Sequence, residues 1–373
     1  MPVLRNPFRF ILFYPLSIIY GIVTSVRNSL YDLKILKSHE FNIPVISIGN
    51  IRVGGTGKTP HVEYLVNLLK NDTRIATLSR GYKRKTNDFR VVDGKSTVSE
   101  AGDEPVQLKR KFPEITVAVD NKRVHGINML LKQHKDLNSV ILDDAFQHRK
   151  VKAGFSILLT DYHNLFTRDH LLPYGRLREK KHEKRRANII IVTKCPGDLN
   201  PMERRLVRKE IKPYPYQDMF YTTIHYGEPK PVFGKNNDWT NRKLLTDKPN
   251  VVLVCGIAHP ELLISYTKKF ASSIDSFIFP DHHNFKSSDI EKIIAKYKAS
   301  SNPSLVLTTE KDATRLREMK IIPNEIKSNL YYIPIEVGFL ENKKEKFDKL
   351  IYDYVKKNKR SGFIPQGKFT GTT

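Results

Sequence analysis

The sequence predicts an α/β protein: a parallel sheet covered by helices on both faces, followed by a second, smaller α/β domain. Three observations carry this reading. Short apolar runs alternate with helix-length segments over most of the 373 residues. A glycine-rich loop joins an apolar run to an amphipathic one between residues 49 and 69. A stretch dense in proline and glycine then breaks the rhythm past the middle. The length itself exceeds one typical core and suits two.

Residues 1–40 hold an apolar segment. From Phe10 to Val26 no residue is charged, and Arg5, Arg9 and Arg27 flank the run. As a helix these 17 residues reach about 25 Å, short of the roughly 30 Å hydrocarbon core of a bilayer. Pro15 and Gly21 interrupt the run, and no small-residue cleavage site follows it. The expectation is an N-terminal membrane-associated helix that lies in the interface, its apolar face in one leaflet and its arginines on headgroups. A buried helix and a true span are the alternatives.

The first domain is expected over 41–215. Residues 42–50 read as a buried strand, and Val62, Leu65, Val66 and Leu69 give helical spacing after the loop. Apolar runs at 75–79, 115–119, 140–142, 155–160 and 189–193 supply further parallel strands. Residues 216–247 read as a linker, on the density of proline and glycine from Pro213 to Gly234. The smaller domain is expected over 248–345, with runs at 251–255, 276–279, 304–308 and 331–335. Residues 346–373 read as a helix end and a frayed tail.

The 64 Lys and Arg against 39 Asp and Glu give +25, a potential that attracts phosphates and anionic surfaces. Nucleic acid, anionic phospholipid and a phosphorylated lipid all satisfy it. Cys195 and Cys255 stand far apart without metal-site spacing, so neither a disulfide framework nor a structural zinc is indicated, which fits a reducing cytoplasm.

Local motifs narrow the chemistry. Gly54-Gly55-Thr56-Gly57-Lys58-Thr59 lies between a predicted strand and a predicted helix, the setting of a phosphate loop in a P-loop NTPase-like α/β/α sandwich. Its backbone N–H groups can close around phosphate oxygens, Lys58 can reach the β/γ-phosphates of ATP, and Thr59 offers a hydroxyl to Mg²⁺. The full pattern has a glycine where this chain has Arg52. An apolar run ends in Asp143 and Asp144, the pattern of metal-anchoring acids at the carboxyl edge of a sheet, with Gln147 and His148 close behind. Gly102-Asp103-Glu104-Pro105 puts two acids in a turn, where one carboxylate can orient an acceptor hydroxyl. Asp281-His282-His283 pairs two histidines without zinc spacing.

In order, Ser47-Ile48-Gly49-Asn50, the phosphate loop, Ser79-Arg80-Gly81-Tyr82, Gly102-Asp103-Glu104-Pro105, Asp143-Asp144-Ala145-Phe146-Gln147-His148, Leu177-Arg178-Glu179, Asp281-His282-His283 and Thr308-Thr309-Glu310-Lys311-Asp312-Ala313 resemble the tetraacyldisaccharide 4′-kinase family. The resemblance runs to about residue 340. It implies transfer of the γ-phosphate of ATP to the 4′-hydroxyl of tetraacyldisaccharide 1-phosphate, forming lipid IVA at the cytoplasmic face of the bacterial inner membrane. It also implies that Asp103 is the catalytic acid with His282 as its partner, and that Lys58, Thr59 and Gln147 meet the nucleotide. Asp143 and Asp144 match the metal positions; Glu104, Arg123, Arg178 and Glu179 match residues near the substrate. Ala145 stands where the family often has glycine.

Rival readings are a nucleic-acid-dependent P-loop ATPase, a GTPase, and a membrane-bound regulatory ATPase. No nucleic-acid module is found to support the first. In Thr193-Lys194-Cys195-Pro196 the acid that would read guanine is replaced by Pro196, which argues against the second.

Overall fold

The computed structural model describes residues 7–234, 238–257, 259–300 and 304–361. Its strands in chain order are β1 (Val45–Gly49), β2 (Ile75–Ser79), β3 (Arg90–Val92), β4 (Thr116–Val119), β5 (Ser139–Asp143), β6 (Phe155–Asp161), β7 (Ile189–Thr193), β8 (Asp218–Tyr226), β9 (Lys230–Pro231), β10 (Asn250–Cys255), β11 (Ser273–Ile278), β12 (Ser304–Thr309), β13 (Leu330–Ile333) and β14 (Ile335–Phe339). Nine form one sheet in the order β14-β8-β7-β6-β1-β5-β2-β4-β3, and five form another, β11-β10-β12-β13-β9. Neighbours are parallel except the outermost pairs β14 with β8, β3 with β4 and β13 with β9.

β1, β5 and β7 are buried at every position, as strands covered on both faces must be. Helices Lys58–Leu69, Asp103–Lys111 and Lys344–Ser361 pack on one face through Val62, Leu65, Val106, Phe347 and Ile351. Arg123–Gln133 and Pro201–Ile211 cover the other through Ile127, Leu130, Val207 and Ile211. This is the expected α/β/α sandwich, and the smaller sheet is covered in the same way by Ser287–Ala299 and Glu261–Thr267.

Two expectations change. The stretch 216–247 is more ordered than its prolines suggest. It contains β8, whose Phe220-Tyr221-Thr222-Thr223-Ile224 run is aromatic and β-branched, as well as β9 and helix Asn241–Asp247. β14, read with the smaller unit, pairs antiparallel with β8, and Phe347, Ile351 and Val355 then complete the first core. The smaller sheet is thus an insertion between two paired strands, and its two crossing points touch, Gly227 N–H donating to Pro334 O at 2.9 Å. The expected tail beyond Ser361 lies outside the described residues.

The amino-terminal helix spans Pro7–Asp32, 26 residues or about 39 Å, so the apolar run alone understated its length. Pro15 and Gly21 lie within it. Phe10–Asp32 is long and apolar enough to cross a membrane by length and composition. One face nevertheless docks on the body: Ser17 Oγ donates to Leu171 O at 2.9 Å, Tyr20 Oη to Arg178 O at 2.9 Å, and Asn28 Nδ2 to Glu179 Oε1 at 2.9 Å. A Cβ on Gly21 would come within 2.6 Å of the end of the Leu171 side chain, so the helix lies close against the body here. Ile11, Leu12, Ile18, Ile19, Ile22 and Val23 point outward, each more than half exposed. Arg5 and the side chain of Arg9 lie outside the described residues.

A buried charge network joins the two sheets. Lys111 Nζ sits 2.6 Å from Glu63 Oε2 and 3.0 Å from Glu310 Oε2, and Gln107 Nε2 donates to Glu63 Oε1 at 2.8 Å. Burial, reinforced by Glu310, pushes the Glu63 carboxyl up to about 7. A carboxyl raised on folding favours the folded state below its unfolded value of 4.5 and loses that contribution as pH rises through about 7. Glu63→Gln cannot ionise, so its unfolding temperature should rise relative to wild type between pH 5 and 8; a constant difference would mean that Glu63 titrates normally.

Candidate active site

The phosphate loop leaves β1 at its carboxyl end. Gly54 and Gly57 adopt φ of 121° and 78°, values that side chains resist, and Lys58 begins the helix that follows. Asn50 Nδ2 donates to Thr56 Oγ1 at 2.7 Å and Thr193 Oγ1 to Thr56 O at 2.9 Å, fixing the loop from both sides. Lys194 Nζ reaches Gly55 O and forms a 3.0 Å ion pair with Asp161. Arg52 is buried and donates to Asp169 Oδ2 at 2.7 Å, while Val53 N–H donates to Arg176 O and Arg178 N–H to Ile51 O, each at 2.8 Å. The residue that breaks the glycine pattern therefore ties the loop to 169–178 and brings Arg178 to the site.

Asp143 ends β5 and Asp144 follows it, beside this loop. Arg178 Nη1 lies 3.0 Å and Lys58 Nζ 3.7 Å from Asp144 Oδ1, and with Lys58 foremost these cations outweigh burial and hold its carboxyl below the ordinary range. Asp143 differs. Its Oδ1 is buried without a hydrogen-bond partner, and burial with the nearby Glu104 and Asp144 pushes its carboxyl up to about 7. That surplus of negative charge fits a hard divalent cation, with Thr59 on the same cavity. Among the described residues no group of three or more side chains could hold a metal alone, so phosphate oxygens would complete its shell. Arg123 is buried behind Asp143, donating to Asp120 O and, at 3.4 Å, to Asp143 O; burial lowers its pKa to about 10.

Gln147 Nε2 donates to Asn50 O at 2.8 Å and to Glu179 Oε2 at 3.2 Å. Both oxygens of Glu179 are engaged, by Asn28, Gln147 and Arg186, so by geometry it ties the amino-terminal helix to the site. His148 lines the cavity, and burial holds it neutral with a pKa of about 4.

The second sheet brings the remaining groups. His282 Nδ1 is 2.9 Å from Asp103 Oδ2, and its Nε2 is 2.9 Å from Lys311 Nζ. An ammonium only donates, so Nε2 accepts from Lys311; Nδ1 lies between Asp103 Oδ2 and Arg315 Nη2, the latter 3.2 Å away. Asp103 is 3% exposed and reaches the cavity through His282. Lys311 Nζ also binds Asp281 Oδ1 at 3.0 Å and approaches Glu104 at 3.9 Å. His283 bonds Asp289 at 2.8 Å and stacks on Phe279, a structural setting.

The phosphate loop, Asp143, Asp144, Gln147, Arg178, His282 and Lys311 line one cavity of about 730 Å³, with Tyr20, Thr24 and Arg27 of the amino-terminal helix and apolar Ile224, Leu263 and Ile333 also in its wall; Arg52, Asp103 and His283 lie outside it. A family model described as tetraacyldisaccharide-1-P 4′-kinase, LpxK, matches residues 9–356. The chain belongs to this family. It is 47% identical over 351 residues to the tetraacyldisaccharide 4′-kinase of Phocaeicola vulgatus, covering 93% of this chain and 96% of that protein. With that of Bacteroides thetaiotaomicron it shares 46% over 357 residues, covering 93% and 94%. A crystal structure of "apo" form LpxK from Aquifex aeolicus in complex with ATP superposes with a TM-score of 0.71 at 29% identity, covering 93% of this chain and 99% of that one.

Sequence reasoning missed Arg315 and gave no role to Lys194 or Lys311. Arg315 Nη2 contacts Asp103 Oδ2, and its Nη1 lies 3.1 Å from Asp312 Oδ1. Asp312 Oδ2 in turn accepts from Gly256 N–H at 2.8 Å and Thr309 Oγ1 at 2.7 Å. Arg315 sits one helical turn after the Thr309–Asp312 motif, and that spacing was the available signal. Against the opposing effect of burial, the His282 hydrogen bond and Arg315 hold Asp103 well below the carboxylate range. In Arg315→Gln the Asp103 carboxyl should titrate at least about one pH unit higher, read from its carbon-13 signal. An unmoved titration would show that Arg315 does not set the charge of Asp103.

Proposed function

We propose that this chain transfers the γ-phosphate of ATP to the 4′-hydroxyl of tetraacyldisaccharide 1-phosphate, giving lipid IVA and ADP, on the cytoplasmic face of a bacterial inner membrane. The observation that carries the reading is the single cavity into which the phosphate loop, Asp144 and the His282 ring project together. Family membership supports the reaction, and the ATP complex of the Aquifex aeolicus relative supports the nucleotide.

The loop N–H groups and Lys58 hold the β/γ-phosphates and take up charge as it develops there. Asp103 orients the His282 ring through Nδ1, and Nε2 would take the proton of the acceptor hydroxyl once released from Lys311. The hydroxyl oxygen forms the new bond to phosphorus as the β–γ bridge bond breaks, its proton passes to the Asp103–His282 pair, and ADP leaves with the bridging oxygen. Thr59, Asp143 and Asp144 would hold Mg²⁺, which would supply charge neutralisation to the phosphates. Arg178, Arg123, Gln147 and Glu104 orient the nucleotide and sugar around it. The outward apolar face of the amino-terminal helix enters the bilayer surface, because a true span would strip the polar contacts of Ser17, Tyr20 and Asn28.

Labelled γ-phosphate should appear on the tetraacylated disaccharide; label on water alone would overturn the kinase reading in favour of an ATPase. Lys58→Ala should lower transfer at least about 10²-fold with unchanged thermal unfolding. Asp103→Ala and His282→Ala should each lose about 10²–10⁴-fold, and the double variant little more than the worse single. Multiplicative losses would show that the two residues act separately. Ile18→Ser with Ile22→Ser should reduce binding to vesicles while sparing ATP affinity; unchanged vesicle binding would mean that the helix face contacts something else.

A further inference from the structure

The helix Pro201–Ile211 shows an unexplained outer face. Its inner face packs Val207 and Ile211 into the first core. Met202, Arg205, Leu206 and Lys209 fall at helical spacing on the opposite side, all exposed, Met202 by 72% and Leu206 by 60%. Both acids of this helix are tied down: Glu203 accepts from Asn200 N–H at 3.2 Å in the amino-terminal cap, and Glu210 pairs with Arg168 at 2.6 Å. Arg205, Arg208, Lys209 and Lys212 carry no ion pair to any described residue, so the outer face is apolar with unbalanced positive charge. Just beyond, Tyr214 and Tyr216 stack at 5.6 Å, with Tyr216 61% exposed.

This patch is connected to the amino-terminal helix. Tyr216 Oη donates to Arg185 O at 2.7 Å, and Arg185 Nη2 pairs with Asp32 at the end of that helix at 2.5 Å. Lys184 Nζ reaches Lys212 O at 2.7 Å. The end of the amino-terminal helix is thus joined to this patch through the basic turn Lys181–Arg186.

We infer that Pro201–Ile211, with Tyr216, is a second membrane-contact element, fitted to an anionic phospholipid surface. Large apolar side chains flanked by unpaired cations and interfacial tyrosines match the chemistry of such a surface, where apolar burial and headgroup attraction add. A protein partner or a second copy of this chain would need carboxylates placed opposite four cations, whereas the phosphates of anionic headgroups supply negative charge anywhere on the surface. The inference rests on the reading that the substrate is an acylated lipid, which puts the enzyme at a bilayer. Two contact points would fix the rotation of the body about the amino-terminal helix, and so the direction in which the cavity opens.

The test uses the full chain, sedimented with vesicles of phosphatidylcholine alone or mixed with phosphatidylglycerol. Arg205→Gln with Lys209→Gln should weaken binding to the anionic vesicles about fivefold per charge at low salt and match wild type at high salt. Met202→Ser with Leu206→Ser should weaken binding to both vesicle types. Thermal unfolding, ATP affinity and turnover on detergent-dispersed substrate should stay at wild-type values in both variants, since none of the four residues lines the cavity. Wild-type vesicle affinity in both, lost turnover in detergent, or a wild-type dimer that Leu206→Ser separates would each overturn the inference, the last by assigning the face to a second copy. If Ile18→Ser with Ile22→Ser binds vesicles normally while the Met202 and Leu206 variant does not, the reading of the amino-terminal helix fails and this one stands.

Discussion

Acids buried around the cavity are matched by cations from other parts of the chain, and this matching draws those parts together. Lys58 and Arg178 converge on Asp144, Arg315 on Asp103, Arg186 on Glu179, and Lys111 bridges Glu63 and Glu310. For the pairs buried on both sides, Arg315 with Asp103 and Arg186 with Glu179, removing one member typically costs about 3–5 kcal/mol, because the charge left behind has neither water nor partner; the longer, part-exposed Lys58–Asp144 pair contributes far less. The amino-terminal helix, the phosphate loop, the 169–186 segment and the smaller sheet are thereby held in one arrangement. Beside the phosphate loop Asp143 is less well matched: burial, with its neighbours Glu104 and Asp144, outweighs the positive charge offered by Lys58 and Arg123, and this imbalance suits a ligand that is itself a cation.

The parts legible in the sequence are those fixed by local rules. Parallel strands buried on both faces read as unbroken apolar runs, so β2, β6, β7 and β12 stand out from their residues alone. Gly54 to Thr59 is legible because a phosphate needs backbone N–H groups and only glycine permits their geometry. β8 is hidden because Pro213, Pro215 and Gly227 bracket it, and a window averaged over them loses its aromatic core. The assignment of β14 to the first sheet is a matter of long-range pairing that no run of five residues encodes. Arg315 escaped for a similar reason, since its partner Asp103 lies 212 residues away.

The amino-terminal helix has two duties that its composition shows only in part. Its exposed aliphatic side chains suit a lipid surface, while Tyr20, Thr24 and Arg27 form a wall of the cavity and Arg27 Nη2 donates to Gln147 O at 2.8 Å. On the proposed function, one rigid rod would border both a lipid surface and the chamber in which the sugar would react. The distance between that surface and the phosphate loop would then be set by helix packing and not by a loop.

The placement of β14 and helix Lys344–Ser361 bears on how the protein is made. The phosphate loop leaves the ribosome early, but the sheet that carries it lacks its edge strand and Phe347, Ile351 and Val355 until about 130 further residues beyond β8 have been synthesised. At about 5–20 residues per second this interval lasts roughly ten seconds. During it the first half presents an open sheet edge and an uncovered apolar face to the cytosol, while the smaller sheet, complete within itself, is free to form first. The nucleotide-binding half of the molecule is therefore begun first and finished last.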